Sequence, residues 1–325
     1  MTGNFEKKYN VRNSSGYNLL QRMAKSKYSH SKIRDITYRP FDVRKIYYDE
    51  KLVSRAGYES NRHLLKPNLG LIVKRGFDQN NSAPCFISRF ISDRRGWTRP
   101  GMQGAESVFP LYFYPEAADM ADTEQKAMRK PNLNKEIVQK IADKLALQFS
   151  SEKKIFGSDR DRQDTFAPID ILDYIYAVLH SPSYREKYKE FLKIDFPRVP
   201  YPKDAKTFWQ LAKLGGELRQ LHLLESTVPE KRTAAYPQPG ENIVEKIRFE
   251  NSRVWINKQQ YFDKVPQTAW EFWIGGYQPA QKWLKDRKGR KLNFDDIVHY
   301  QKIITTLSET DRIMKKTDRI DVFGT

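Results

Sequence analysis

Arginine, lysine and tryptophan cluster in this chain in a way that suits one chemistry, the binding of a polyanion. Arg94, Arg95 and Arg99 surround Trp97 in a stretch, Gly96-Trp97-Thr98-Arg99-Pro100-Gly101, too rich in Gly and Pro to be regular structure. Guanidinium groups donate as a fork that matches a phosphate or the edge of guanine, and an indole offers a flat face for stacking. The alternative is a solvated loop with Trp97 folded back as an apolar plug. Lys74 and Arg75 close an apolar run just upstream. Arg39 and Arg44 flank Pro40-Phe41-Asp42, where they either approach a phosphate or base or, for Arg39, pair locally with Asp42. Lys285, Arg287, Lys288, Arg290 and Lys291 crowd a turn around Gly289, which is either a phosphate contact or an ordinary exposed turn.

Motifs for catalysis are missing. A DNA amino-methyltransferase needs a glycine-rich turn for S-adenosylmethionine and an Asn/Asp-Pro-Pro-Tyr/Phe loop for the target amine, and the chain has neither. It lacks GxxxxGK[ST] and HExxH, and its five His and one Cys have no zinc spacing. Asp35, Asp42, Asp49 and Lys51 come nearest to a carboxylate-lysine nuclease pattern, a string that arises readily by chance. The residues favour binding over chemistry.

Composition agrees. The 325 residues carry a formal net charge of +18, with 21 Lys and Arg against 9 Asp and Glu in residues 1–115 and 37 against 31 in the rest. Excess positive charge concentrated in one third of a chain is the footprint of a polyanion partner, most often nucleic acid. A lone cysteine, Cys85, excludes an internal disulfide and any multi-cysteine zinc site. No apolar run approaches the roughly 18 residues of a membrane span, so no membrane partner is expected and the cytoplasm is the expected compartment.

Periodicity supplies the elements that must carry these residues. Residues 35–49 predict two short strands turning at Pro40-Phe41-Asp42; 69–74, 85–92 and 108–114 predict further strands. Asn134 is an N-cap for a helix whose apolar line runs Ile137, Ile141, Leu145, Phe149. Pro168 and Ser181-Pro182 open a helical pair, and Pro197, Pro200 and Pro202 force an extended strap after it. His180 ends the first helix of that pair, where the dipole favours a partly protonated imidazole in a structural role. Asp204 caps a long helix that Gly215-Gly216 weakens unless another backbone packs closely there. A hairpin turning at Asn251-Ser252, an aromatic helix over 266–274, and two helices joined through the basic turn complete the chain, the last capped by Asn293 with Asp296.

Four stretches, YRPFDVRKIYYD (38–49), VFPLYFYP (108–115), ILDYIYAVLHSPSYREKYKEFLKIDFPRVPYP (171–202) and YQPAQKWLKDRKGRKLNFDDIVHYQKII (277–304), occur in the order seen in the C-terminal specificity region of Type ISP restriction-modification enzymes, and the chain resembles that family and related adenine methyltransferases from Ile36 to Asp318. The resemblance implies a target recognition domain that binds double-stranded DNA. It implies a parent polypeptide whose methyltransferase domain holds S-adenosylmethionine, with helicase and nuclease domains as further candidates. No residue role carries over, because recognition loops differ with the target. The expected architecture is α+β: a flexible segment over 1–30, a β-rich recognition lobe over 31–115, a linker and helix over 116–165, and a helical part with a small β-hairpin over 166–325. A stand-alone nuclease and a protein-docking module are the alternatives.

Overall fold

Ile33, Ile36, Thr37 and Tyr38 on one strand and Val43, Ile46 and Tyr47 on the next supply the β-formers of the first sheet. The computed structural model describes residues 7–8, 16–53, 57–76, 82–93, 95–96, 105–115, 129–153, 164–227 and 234–323. Within the polar opening stretch, Asn18 caps a short helix, α1 (Leu19–Ala24), by accepting from the Gln21 N–H. β1 (Ile33–Arg39) and β2 (Asp42–Tyr47) then pair antiparallel with Thr37 opposite Val43. A one-turn helix, α2 (Tyr58–Asn61), follows. β3 (Gly70–Lys74) sits between β4 (Cys85–Ser88) and β6 (Glu106–Pro110), while β5 (Ile91–Ser92) runs parallel to β1. The strand predicted over 85–92 is broken, because the Ser88 hydroxyl and the Phe90 N–H bond each other at 2.9 Å and turn the chain at Arg89-Phe90. That bend lets β4 and β5 join the two small sheets.

The next helices pack against one side of β3 and β4. After β7 (Tyr112–Phe113) and β8 (Lys130–Pro131), Asn134 caps α3 (Lys135–Leu145) as its sequence predicts. Its buried line is Val138, Ile141, Ala142 and Leu145, one residue round from the predicted face, and Ile137 is exposed. β9 (Gln148–Phe149) and β10 (Thr165–Phe166) then lead into α4 (Pro168–His180), where the Asp170 carboxylate accepts from the Ala167 N–H at 2.8 Å. The second helix of the predicted pair divides at Tyr188 into α5 (Pro182–Lys187) and α6 (Lys189–Leu192). The proline strap is held down by hydroxyls of the pair, Tyr174 donating to the Pro200 carbonyl and Tyr184 to that of Arg198.

Asp204 accepts from the Thr207 N–H and opens α7 (Ala205–His222), which runs unbroken through Gly215-Gly216. The glycines stand where α4 presses closest: a Cβ on Gly215 would lie 1.8 Å from the Asp173 carbonyl oxygen. Beside that contact Arg219 grips the Asp173 carboxylate at 2.6 and 3.0 Å. The chain ends in a second α/β group. β11 (Arg248–Glu250), β12 (Arg253–Trp255) and β13 (Tyr261–Phe262) form an antiparallel ribbon whose turn residues Asn251 and Ser252 take φ of 52° and 58°, as a tight hairpin requires. Beyond it lie α8 (Gln267–Glu271), α9 (Pro279–Lys285) and α10 (Phe294–Thr317), whose Asn293 and Asp296 cap each other's backbone N–H.

Among the described residues two large apolar clusters result, with strands β3 and β4 between them, and a small third one gathers Tyr48, Leu64 and Ile91. Val73, Cys85 and Ile87 face the α3, α4 and α7 cluster, whereas Ile72 and Phe86 face that of the ribbon and α8 to α10. This is the mixed α+β architecture the sequence predicts. No helix among the described residues is long and apolar enough to cross a membrane.

At the boundary sits a sealed polar chain. Tyr176 donates to His222 Nδ1 at 2.5 Å, His222 Nε2 contacts the Thr310 hydroxyl at 2.9 Å, and Thr310 donates to the Thr306 carbonyl. His180 bonds the Tyr176 carbonyl at 2.7 Å beside the Cys85 thiol. The expectation of a partly protonated His180 is overturned: burial pushes its imidazole down to about 3, against which the helix end is a small effect. It is a neutral core group.

Two measurements check this packing. Gly215→Ala should cost about 3 kcal/mol in urea unfolding, since helix α7 cannot retreat from a backbone carbonyl, while Gly216→Ala, which meets a side-chain oxygen at 3.0 Å, should stay within about 1 kcal/mol of the parent. Because His180 is neutral when folded and titrates near 6.5 when unfolded, its contribution is complete above that pH and declines as pH falls toward about 3. Stability should therefore drop between pH 6.5 and pH 4, and His180→Asn, less stable at pH 7, should lose less over the same interval.

Candidate nucleic-acid interface

Strand alternation places Asp42 and Arg44 on one face of β2, and the tight turn brings Arg39 opposite Asp42. Arg44 donates to Asp42 Oδ2 at 2.7 Å, and its guanidinium lies 3.9 Å from the Tyr38 ring centroid. Arg39 approaches the same ring at 4.2 Å, donates to the Arg95 carbonyl at 3.0 Å and pairs with Asp93 at 3.5 Å. Local pairing thus falls to Arg44 and Asp42, and Arg39 reaches instead to the bend after β5. Tyr38 serves both arginines, a role its sequence position alone does not show.

The other Asp42 oxygen accepts from Arg287 at 3.1 Å, across 245 residues of chain. Arg287 also lies 3.5 Å above the Trp283 ring, donates to the Trp283 carbonyl at 3.0 Å and stands 3.9 Å from Asp296. One turn further along α10, His299 bonds the Phe41 carbonyl through Nε2 at 2.7 Å. Burial raises the Asp42 carboxyl, but hydrogen bonds from Arg44 and Arg287 more than offset this and hold it below the usual carboxylate range. Burial lowers the His299 imidazole, keeping it neutral with a proton available for the Phe41 carbonyl. Asp42 is 2% exposed, so the pairing is enclosed.

The hairpin, the 93–96 bend and the turn after α9 therefore meet in one place. Arg39, Arg44, Arg95 and the turn carrying Lys285, Arg287, Lys288, Arg290 and Lys291 are brought together from three distant segments. Their roles differ. Arg287 is buried and holds the turn in place, while Lys285, Lys288, Arg290 and Lys291 are exposed. Lys285 donates to the Gln281 amide at 3.2 Å and Lys291 faces Glu241 at 3.5 Å; Lys288 and Arg290 make no ion pair to another described residue. The turn is pinned from behind by the Gly289 N–H, which donates to the Val244 carbonyl at 2.7 Å, and Gly289 takes φ 78° to make the reversal.

Lys74 and Arg75 lie apart from this place. Lys74 is 1% exposed, opposite buried Glu106 in the sheet register, so it is closed to a ligand: it ends a strand that both clusters cover. Arg75 pairs with Asp195 of the strap at 3.2 Å. Arg94, Trp97 and Arg99 lie outside the described residues. Missed in the sequence were the roles of Asp42 and His299, whose partners lie about 250 residues away where no local spacing announces them, and those of Trp283 and Asp296, which flank Arg287 within its own segment. Among the described residues no group of three or more His, Cys, Asp or Glu is placed to hold a metal ion.

The family described as Type ISP C-terminal specificity domain matches residues 5–316. No curated protein matches the chain. Among solved structures it resembles the ATP-dependent Type ISP restriction-modification enzyme LlaBIII bound to DNA, with a TM-score of 0.67 and 16% identity over 93% of this chain and 20% of that one. A nuclease-deletion mutant of the Type ISP enzyme LlaGI in complex with a DNA substrate mimic gives 0.58 and 19% over 90% and 25%. A DrdV-DNA complex gives 0.65 and 18% over 90% and 29%. At these identities the likeness is one of fold, and the chain spans under a third of each of those proteins.

Asp42→Asn tests the junction. Removing the charge leaves buried Arg287 with only the more distant Asp296 carboxylate, which should cost about 3 kcal/mol at pH 7 in denaturant unfolding. Because the folded carboxyl titrates below its ordinary 3.8, the contribution is present above that pH and lost as pH falls through the lower value. The gap between parent and variant should close below about pH 4.

Proposed function

This chain belongs to the Type ISP C-terminal specificity domain family, and from that premise we propose that it is the part of a longer restriction-modification polypeptide that binds double-stranded DNA and reads the target site. The observation that carries the reading is the junction at Asp42, which fixes the exposed turn of Lys285, Lys288, Arg290 and Lys291 against the hairpin and the bend at Arg95. Cations held on rigid elements neutralise phosphates and set register on a duplex, while few side chains read bases. Lys288 and Arg290 take the first role, with Arg95 beside them and Arg44 holding the hairpin through Asp42. Arg94, Trp97 and Arg99, adjoining the bend, are the candidates for the second. The solved relatives named above are described as bound to DNA, a DNA substrate mimic or in a DNA complex, which is consistent with this assignment.

Adenine methylation belongs to another part of the parent polypeptide, where a methyltransferase domain holds S-adenosylmethionine, and cleavage, where it occurs, belongs to a nuclease domain. This chain supplies the grip and the register, in the cytoplasm.

Duplex binding by the chain should weaken linearly in log affinity against log salt. The double variant Lys288→Ala/Arg290→Ala should weaken binding alike on unrelated sequences and flatten the slope by about 1.8, at roughly 0.9 per phosphate contact. A salt-independent affinity, or a slope the double variant leaves unchanged, refutes the reading.

A further inference from the structure

Next to the basic turn the fold leaves a large apolar side chain uncovered. Phe294 is 74% exposed, the highest value for a large hydrophobic side chain among the described residues, and it belongs to none of their apolar clusters. A solitary exposed apolar residue is ordinary, so the position of this one decides what it means. Phe294 opens α10, yet it serves neither the cap nor the hydrophobic staple of that helix. Asn293 and Asp296 exchange the capping bonds at 2.7 and 3.2 Å, and the staple positions belong to Leu292 and Ile297, both packed into the cluster beneath. The helix start cannot yield, since Arg287 stands beside Asp296 and bonds Asp42, and His299 bonds the Phe41 carbonyl. The ring therefore projects from a rigid base.

Its neighbours say what it meets. Phe294 follows Arg290 by four residues, at most ~14 Å of extended chain. Ile243, 37% exposed, pairs with Lys291 across an antiparallel bridge, so exposed apolar residues border the cations of the turn. Acids are close as well: Glu241 faces Lys291 at 3.5 Å and exposed Asp295 adjoins Phe294, but Lys288 and Arg290 have no ion pair to another described residue. An apolar protein surface laid on Phe294 would bury those two cations unanswered. A duplex answers both demands, with phosphates outside and the faces of stacked bases within. We propose that Phe294 enters the bound duplex as a wedge between two adjacent base pairs while Lys288 and Arg290 hold the phosphates beside it, an inference that rests on the DNA-binding reading above. The ring replaces part of the stacking lost at the opened step, and the duplex bends there. The bases stay in their own helix, so the protein needs a projecting ring and no cavity.

The test compares binding of the chain to two short duplexes of one sequence, fully paired and with a single central mismatch whose neighbouring steps open at lower cost. The parent should bind the mismatched duplex at least about fivefold tighter, the low end of one base–aromatic stack. A fluorescent adenine analogue beside the mismatch should brighten as the step opens. Phe294→Ala should bind both duplexes alike, leave the analogue unchanged and keep the parent's salt slope, because the cations are untouched. Phe294→Leu, still a wedge, should retain part of the preference. The urea midpoint of Phe294→Ala should match the parent's, as expected of a side chain the fold does not pack. A preference that survives Phe294→Ala, equal binding of the two duplexes by the parent, or a lowered urea midpoint in Phe294→Ala overturns the wedge and leaves the DNA-binding reading standing. Absence of binding to either duplex overturns both.

Discussion

A single carboxylate, that of Asp42, holds the candidate interface together. Buried charge is costly unless paired and hydrogen-bonded, and Asp42 meets that condition only when Arg44 of its own strand and Arg287 of a turn 245 residues away are both in place. The chain therefore cannot close its hairpin correctly without also docking the basic turn. That coupling makes a rigid surface out of segments that would otherwise be loops on separate parts of the molecule. His299 repeats the same connection with a neutral bond from α10 to the Phe41 carbonyl.

Behind the junction the same logic of enforced contact recurs without charge at the surface. Gly215 admits the Asp173 carbonyl to the surface of α7, and that approach lets Arg219 reach the Asp173 carboxylate. The closest helix contact is thereby fixed in register as well as in distance. Since β3 and β4 lie between the two apolar clusters, a shift of α4 against α7 would be felt in the hairpin through Cys85, Phe86 and His222. The candidate interface is as rigid as the core it stands on.

Helix starts were legible because capping is local. Asn134, Asp204 and Asn293 each accept a backbone N–H three residues on, a geometry that spacing alone specifies. The glycine pair was legible only as a condition, that some backbone must approach, since the sequence does not name the partner. Strand limits were harder. The break at Arg89 comes from a serine hydroxyl capturing a backbone N–H, and Lys74 looked like an exposed strand end because nothing local shows that the sheet continues past it into cover. The charge of His180 was hidden for a related reason: helix position is visible in sequence, but the burial that decides its charge comes from His222 of α7 and Cys85 of β4 packing against it.

Cations in this protein divide by whether an acid answers them, and the division shows how a surface with many ion pairs can still leave charge open to a polyanion. Arg39, Arg44 and Arg287 are met by Asp93, Asp42 and Asp296, so locally their charges nearly cancel. They contribute geometry. Lys288 and Arg290, on the turn those pairs immobilise, have no described acid partner and keep their charge for solvent or ligand. A phosphate reaching them displaces counterions and breaks no internal bond, so its binding free energy is not spent undoing the fold. Had the turn been anchored through Lys288 or Arg290 instead of Arg287, the same number of arginines and lysines would have produced a stable domain with little field outside it.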